Sequence, residues 1–159
     1  LRRVRAMCRP GSVSYSEEAC VYLPDTAPII NELQQILETG SRWECGGLDP
    51  KRGAGCYGLA YWAFRRVGIA LPVTAEEAEH VFIRVCEPYC AWDIVLVQWA
   101  PWQMERHLGL LMAPSWGYHI AQSSNGLARF ALSHPLWRRG LRHVWRYRVF
   151  ATLTEGVCT

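Results

Sequence analysis

Cys56, His107 and His119 are the residues whose types and order could carry nucleophilic chemistry. Cys56 sits in Gly55-Cys56-Tyr57-Gly58-Leu59, where a glycine-rich loop delivers a cysteine to the expected first turn of an apolar helix. A thiolate there faces unpaired backbone N–H groups and the positive end of the helix dipole, and both stabilise S⁻. The thiolate is the attacking form, so the position suits catalysis. A cysteine that merely packs at a helix start fits the same segment. His107 opens the run His107-Leu108-Gly109-Leu110-Leu111-Met112, and His119 lies in Trp116-Gly117-Tyr118-His119-Ile120-Ala121. If adjacent antiparallel strands hold them, one imidazole can act as base on the thiol and the other can orient it through a ring N–H. A lone strand histidine is more often structural, but the order Cys, His, second polar residue is the trio that thiol activation needs. Gln122 or Asn125 is an alternative orienting group. His80, His134 and His143 have no comparable setting and read as surface or helix-end residues.

The chain has 159 residues, half of them hydrophobic (50%) and 19% charged, which fits one domain with a real core and excludes a disordered chain. No apolar run reaches the roughly 18 residues that a membrane-spanning helix needs. Seven cysteines is an odd number, so at least one stays unpaired or pairs between chains. Their spacing does not read as a disulfide framework. Cys86 and Cys90 form a CxxxC pair with no second pair, so no metal site is expected, and most of the thiols read as small buried apolar groups. Lys51 is the only lysine among 17 basic residues, and the net charge is +3. Arg2, Arg3, Arg5 and Arg9 crowd the N-terminus, but no basic stripe with interleaved aromatics follows, so neither nucleic acid nor membrane is an expected partner. No apolar segment of a secretory signal is visible after those arginines.

The elements that must position the trio follow from periodicity. Residues 1–24 lack it and read as an arm. Ile29, Ile30, Leu33, Ile36 and Leu37 recur at helical spacing from Thr26 to Glu38, with Pro28 suited to the first turn and Gly40 to the end. Residues 40–55 read as a loop, and a second helix runs from Cys56 to about Val67, closed by Gly68. Thr74 and Glu77 form a capping box that starts a third helix through about Ile83. Beyond Pro88 the pattern turns to strands, at Ile94–Gln98, His107–Met112, Gly117–Gln122, Leu127–Leu132 and residues 142–152, the last with Val144, Arg146, Arg148 and Phe150 on one face. Helices first and strands after is an α+β order, with N-terminal helices packed on a C-terminal antiparallel sheet. The expected division is an arm and helix over 1–39 and a single globular unit over 40–159.

Over about residues 40–149 the chain resembles the NlpC-type cell-wall cysteine peptidases, which are papain-like enzymes, and in particular the variety encoded with bacteriophage tail proteins. Six pieces occur in the family's order. They are Gly46-Gly47; the cysteine helix from Cys56-Tyr57-Gly58 to Gly68-Ile69-Ala70-Leu71-Pro72; Ala91-Trp92-Asp93-Ile94-Val95; His107-Leu108-Gly109-Leu110; Tyr118-His119-Ile120-Ala121; and Pro135-Leu136-Trp137 leading into the last strand.

The resemblance implies that Cys56 attacks a peptide carbonyl, His107 takes the thiol proton and later protonates the leaving amine, and His119 holds His107 in its tautomer. It implies an oxyanion donor in the Cys56 N–H, and substrate-binding roles for Trp43, Gly55, Tyr57 and Arg106. Peptidoglycan stem peptide is the implied substrate, with no cofactor and no metal. Where the family has Asp-Cys-Ser-Gly, this chain has Gly55-Cys56-Tyr57-Gly58, which bears on substrate choice. Trp43, Tyr15 or Tyr22 would stand in for a family tyrosine near the oxyanion. The alternative function is a catalytically reduced structural or peptide-binding module of a phage tail or cell-wall assembly. A lipid-modifying acyltransferase is disfavoured because that type places its histidine before its cysteine. Synthesis in a bacterial cytoplasm, with action in a phage tail or the periplasm, is the expected setting.

Overall fold

The computed structural model describes residues 23–99, 106–122 and 126–151. Tyr15, Tyr22 and Asn125 lie outside them.

Helix α1 (Ala27–Thr39) buries Ile29, Leu33 and Ile36 along one stripe, and its first turn carries Pro28. Two short strands, β1 (Leu48–Asp49) and β2 (Gly53–Ala54), pair within the glycine-rich loop. Helix α2 (Cys56–Arg66) follows at once and buries Leu59, Ala60, Trp62, Ala63 and Phe64. The third helix is much shorter than its capping box suggested. Helix α3 (Ala75–Ala78) is one turn, capped by the Thr74 hydroxyl on the Glu77 N–H, and a 3-10 turn leads directly into strand β3 (Phe82–Val85). Phe82 and Val85 are buried in the sheet, and that burial overrides the helical start.

The remaining strands are β4 (Ile94–Val97), β5 (His107–Ala113), β6 (Trp116–Ala121), β7 (Gly126–Ala131) and β8 (Leu141–Tyr147). A short helix α4 (Pro135–Gly140), with His134 as its N-cap, leads into β8. The sheet runs β3-β8-β4-β5-β6-β7 with every pairing antiparallel. The α+β expectation with helices packed on an antiparallel sheet holds.

Alternation along the strands gives the sheet two faces. Ile94, Leu110, Met112, Tyr118 and Ile120 pack against α1 and α2 in one apolar cluster. Val85, Val95, Val97, Leu111, Phe130, Trp137 and Val144 form a second cluster on the other face. Residues 148–150 leave the last strand as a 3-10 turn.

Arg146 lies inside the sheet. It is 3% exposed and forms a bidentate pair with Asp93, itself fully buried, at 2.8 Å from Nε and 2.9 Å from Nη2. Asp93 also accepts the Cys90 N–H at 2.7 Å, so the pair ties β4, β8 and the preceding loop together. The cysteines are not uniformly free thiols. Cys86 is disulfide-bonded, whereas Cys45 and Cys56 are free thiols. No helix among the described residues is long and apolar enough to cross a membrane.

Candidate active site

The loop and helix that carry Cys56 are held by a backbone approach that only glycine permits. A Cβ on Gly58, in the first turn of α2, would lie 2.0 Å from the Gly47 carbonyl oxygen, and a Cβ on Gly47 would lie 2.3 Å from the Gly53 carbonyl oxygen. The Gly55 N–H donates to the Gly47 carbonyl at 3.0 Å. Gly55 itself is the extended N-cap of α2. The Gly46-Gly47 pair is therefore the floor on which the Cys56 helix rests. Trp43 bridges Ala54 in parallel and is half-buried, two residues from the start of this turn. The Tyr57 hydroxyl donates to the Pro72 carbonyl at 2.5 Å, and burial pushes the phenol up to about 12.

Antiparallel pairing of β5 with β6 sets Gly109 opposite His119, so His107 is the diagonal neighbour of His119 on the same face. The rings meet, with His107 Nε2 2.9 Å from His119 Nδ1 and the planes almost perpendicular at 88°. Aromatic side chains wall the pair in. Trp99 lies over His107 at 4.9 Å, and Trp137 meets His107 at 5.9 Å and His119 at 5.1 Å. Phe130 stacks on Trp137 at 3.7 Å and backs the arrangement. Sequence reasoning did not single out Trp99 or Trp137, since nothing in a lone tryptophan says which ring it will cover. Gly109 makes room for this wall, as a Cβ there would lie 2.7 Å from the Phe130 ring.

Burial inside this wall lowers both histidines to about 4, and at His107 the neighbouring His119 adds to the effect. Both rings are neutral at neutral pH. Gln122 is exposed, and the group that touches His107 is His119.

Cys56 arrives from the opposite face of the sheet, at the N-terminus of α2. Burial raises its thiol, while the backbone N–H groups of Leu108, Tyr57 and Cys56 itself pull the other way. The low thiol pKa expected from the helix N-terminus is thus corrected, because desolvation outweighs the backbone donors. The Leu108 contact sets the sulfur beside the first residues of β5, the strand that His107 opens. Among the described residues no direct hydrogen bond joins Cys56 to His107. Arg106, immediately before His107, is exposed, and its charge acts on His143 rather than on the histidine pair. No cluster of metal-ligating side chains occurs among the described residues.

Solved structures share this fold. A chain described as similar to lipoprotein, NLP/P60 family, from Staphylococcus aureus matches at a TM-score of 0.62 and 19% identity, over 84% of this chain and 45% of that one. The NlpC/p60 domain of the peptidoglycan hydrolase SagA matches at 0.57 and 16% identity, over 77% of this chain and 99% of that domain. The peptidoglycan hydrolase RipB of Mycobacterium tuberculosis matches at 0.52 and 16% identity, over 84% of this chain and 75% of that one. This chain thus spans less than half of the staphylococcal protein. No curated protein matches it. The model of the NlpC/P60 family matches residues 40–146, from the glycine loop that floors Cys56 to the buried arginine of the last strand. This chain belongs to the NlpC/P60 family.

Proposed function

We propose that the chain is a cysteine peptidase that hydrolyses amide bonds in peptidoglycan stem peptides. The observation that carries this reading is the walled histidine pair beside the strand end that Cys56 reaches. Family membership and the peptidoglycan hydrolases among the fold's relatives support the substrate class.

In this reading His107 uses Nε2 toward His119 and keeps Nδ1 for the thiol. For Nδ1 to accept a proton, Nε2 must carry hydrogen and donate it to Nδ1 of His119. His119 then carries its own hydrogen on Nε2. The resting state is a neutral thiol and a neutral imidazole, since burial disfavours both charged forms. Proton transfer from Cys56 to His107 accompanies attack on the carbonyl carbon, which forms the S–C bond. The imidazolium then gives that proton to the departing nitrogen as the C–N bond breaks. Water hydrolyses the thioester with the same base, releasing the carboxylic acid and restoring the thiol. The Cys56 N–H at the helix start is placed to receive developing negative charge on the carbonyl oxygen. A phage tail is one assembly in which this activity would be used.

The raised thiol is the one observation that favours the alternative, a peptide-binding module without turnover. Incubation with purified peptidoglycan separates the two readings. The hydrolase releases new amino groups and its Cys56→Ala variant does not. A module releases none with either chain.

A further inference from the structure

The glycine loop that floors Cys56 carries a second thiol that the mechanism does not use. Cys45 is exposed, Cys56 is half-buried, and both are free. Backbone pairing brings the two together. Trp43 bridges Ala54 in parallel, so a step of two residues along each segment leads from that bridge to Cys45 on one side and Cys56 on the other. The Ala54 N–H donates to the Arg42 carbonyl and the Glu44 N–H to the Ala54 carbonyl, both at 3.1 Å. Gly55 keeps the segments in contact beyond these bonds. A Cβ there would lie 3.3 Å from the Glu44 carbonyl oxygen and 3.6 Å from the Gly46 nitrogen, the two backbone atoms that flank Cys45. Paired segments run about 4.8 Å apart, inside the roughly 4.4–6.8 Å between Cα atoms that a disulfide spans.

The Gly47 N–H donates to the Glu44 carbonyl at 3.1 Å, which puts Cys45 and Gly46 at the corner of a turn. Gly46 has a φ of 72°, and a Cβ on it would meet nothing within 4 Å. The corner therefore has open space in which to swing the Cys45 side chain toward Cys56. The two thiols are already within electrostatic reach of each other, since burial raises the Cys56 thiol and the charge of Cys45 adds to that rise.

We propose that Cys45 and Cys56 form a reversible disulfide, a redox modification site that withholds the Cys56 sulfur from reaction. The oxidant is hydrogen peroxide, and exposed Cys45 meets it first. The Cys45 sulfur attacks one peroxide oxygen and the O–O bond breaks. Sulfur is oxidised to the sulfenic acid, and the other oxygen leaves as water with the thiol proton. The Cys56 sulfur then attacks the Cys45 sulfur. The S–S bond forms, the S–O bond breaks, and hydroxide leaves as a second water with the Cys56 proton. A dithiol reductant reverses the bond by exchange. The disulfide stands independently of the hydrolase reading, whereas its effect on turnover rests on that reading.

The test treats the full chain with hydrogen peroxide, blocks the remaining thiols and digests with trypsin without reduction. Cleavage after Arg42, Lys51, Arg52 and Arg65 puts the two cysteines in separate peptides, 43–51 and 53–65. Mass spectrometry should find these two joined, and dithiothreitol should release them. Hydrolysis of peptidoglycan should fall about tenfold as the joined form accumulates and return with dithiothreitol. Cys45→Ser should cleave at the unaltered rate and lose activity to peroxide about tenfold more slowly, because half-buried Cys56 then meets the oxidant alone. Absence of the joined peptides, or Cys45 joined to another cysteine, overturns the site. An equal rate of loss in the two chains overturns the switch. If neither chain cleaves peptidoglycan, the hydrolase reading fails, and the joined peptides still decide the disulfide.

Discussion

His107 Nε2 and His119 Nδ1 lie 2.9 Å apart on adjacent strands, so only one nitrogen of His107 remains to act on a substrate or a thiol. The contact follows from register, since Gly109 opposite His119 makes His107 the diagonal neighbour. In the proposed mechanism it makes His119 a positioning residue. His119→Ala should lower kcat by about 10²-fold with little change in KM, on the usual scale for general-base assistance. His119→Asn, which can still accept from Nε2, should recover part of that loss. Steady-state kinetics on a soluble stem peptide checks both. An Asn variant no better than Ala would remove the orienting role.

The pH profile should carry the mark of the aromatic wall. In the proposed mechanism His107 is the base and works only when neutral, and burial holds its pKa down to about 4. The acid limb of kcat/KM should therefore fall near pH 4, well below the ordinary histidine value, with a flat plateau through neutrality. Opening the wall with Trp99→Ala should move the limb upward. A limb near 6.5 in the unaltered chain would contradict the desolvated pair.

The same shift links to stability. Both histidines have folded pKa values near 4, below the ordinary value of 6.5. Between these values the unfolded chain binds more protons than the folded one. This contribution to stability is therefore complete above about pH 6.5 and is lost as pH falls toward 4. The sign is that of a buried neutral base, since protonation favours the unfolded state. Thermal melts should show the unaltered chain losing stability relative to a His107→Gln, His119→Gln variant over that window. Parallel curves would show that the rings are not held neutral.

Asp93 and Arg146 make a buried pair, and breaking it should cost about 3–5 kcal/mol because one charge is left without its partner. Asp93→Asn and Arg146→Met should each show that loss in urea unfolding. Asp93→Leu with Arg146→Met should be less damaging than the sum of the single changes. Additive losses would mean that the two residues act independently.

Much of the site was legible in the sequence because its logic is local. A glycine loop, a cysteine at an apolar helix start and two histidines in alternating runs place α2, β5 and β6 nearly where the structure has them. What escaped depends on partners far along the chain. The sequence places Phe82 and Ile83 at the end of the third helix, and they instead open a strand because Phe82 and Val85 pair with β8. Arg146 shares its face with buried Val144, and Asp93 immediately precedes the neighbouring strand. That parity was the signal for a buried pair. The thiol's burial was equally invisible, because backbone donors are implied by a helix start whereas desolvation depends on what packs over it.

Muropeptide mass spectrometry after digestion of purified peptidoglycan reads the role of Cys56 and the bond cut together. The unaltered chain should yield fragments split at one stem-peptide amide, and Cys56→Ala, with the same fold by circular dichroism, should yield none. Identical fragment patterns from the two chains would place the nucleophile elsewhere and contradict the mechanism.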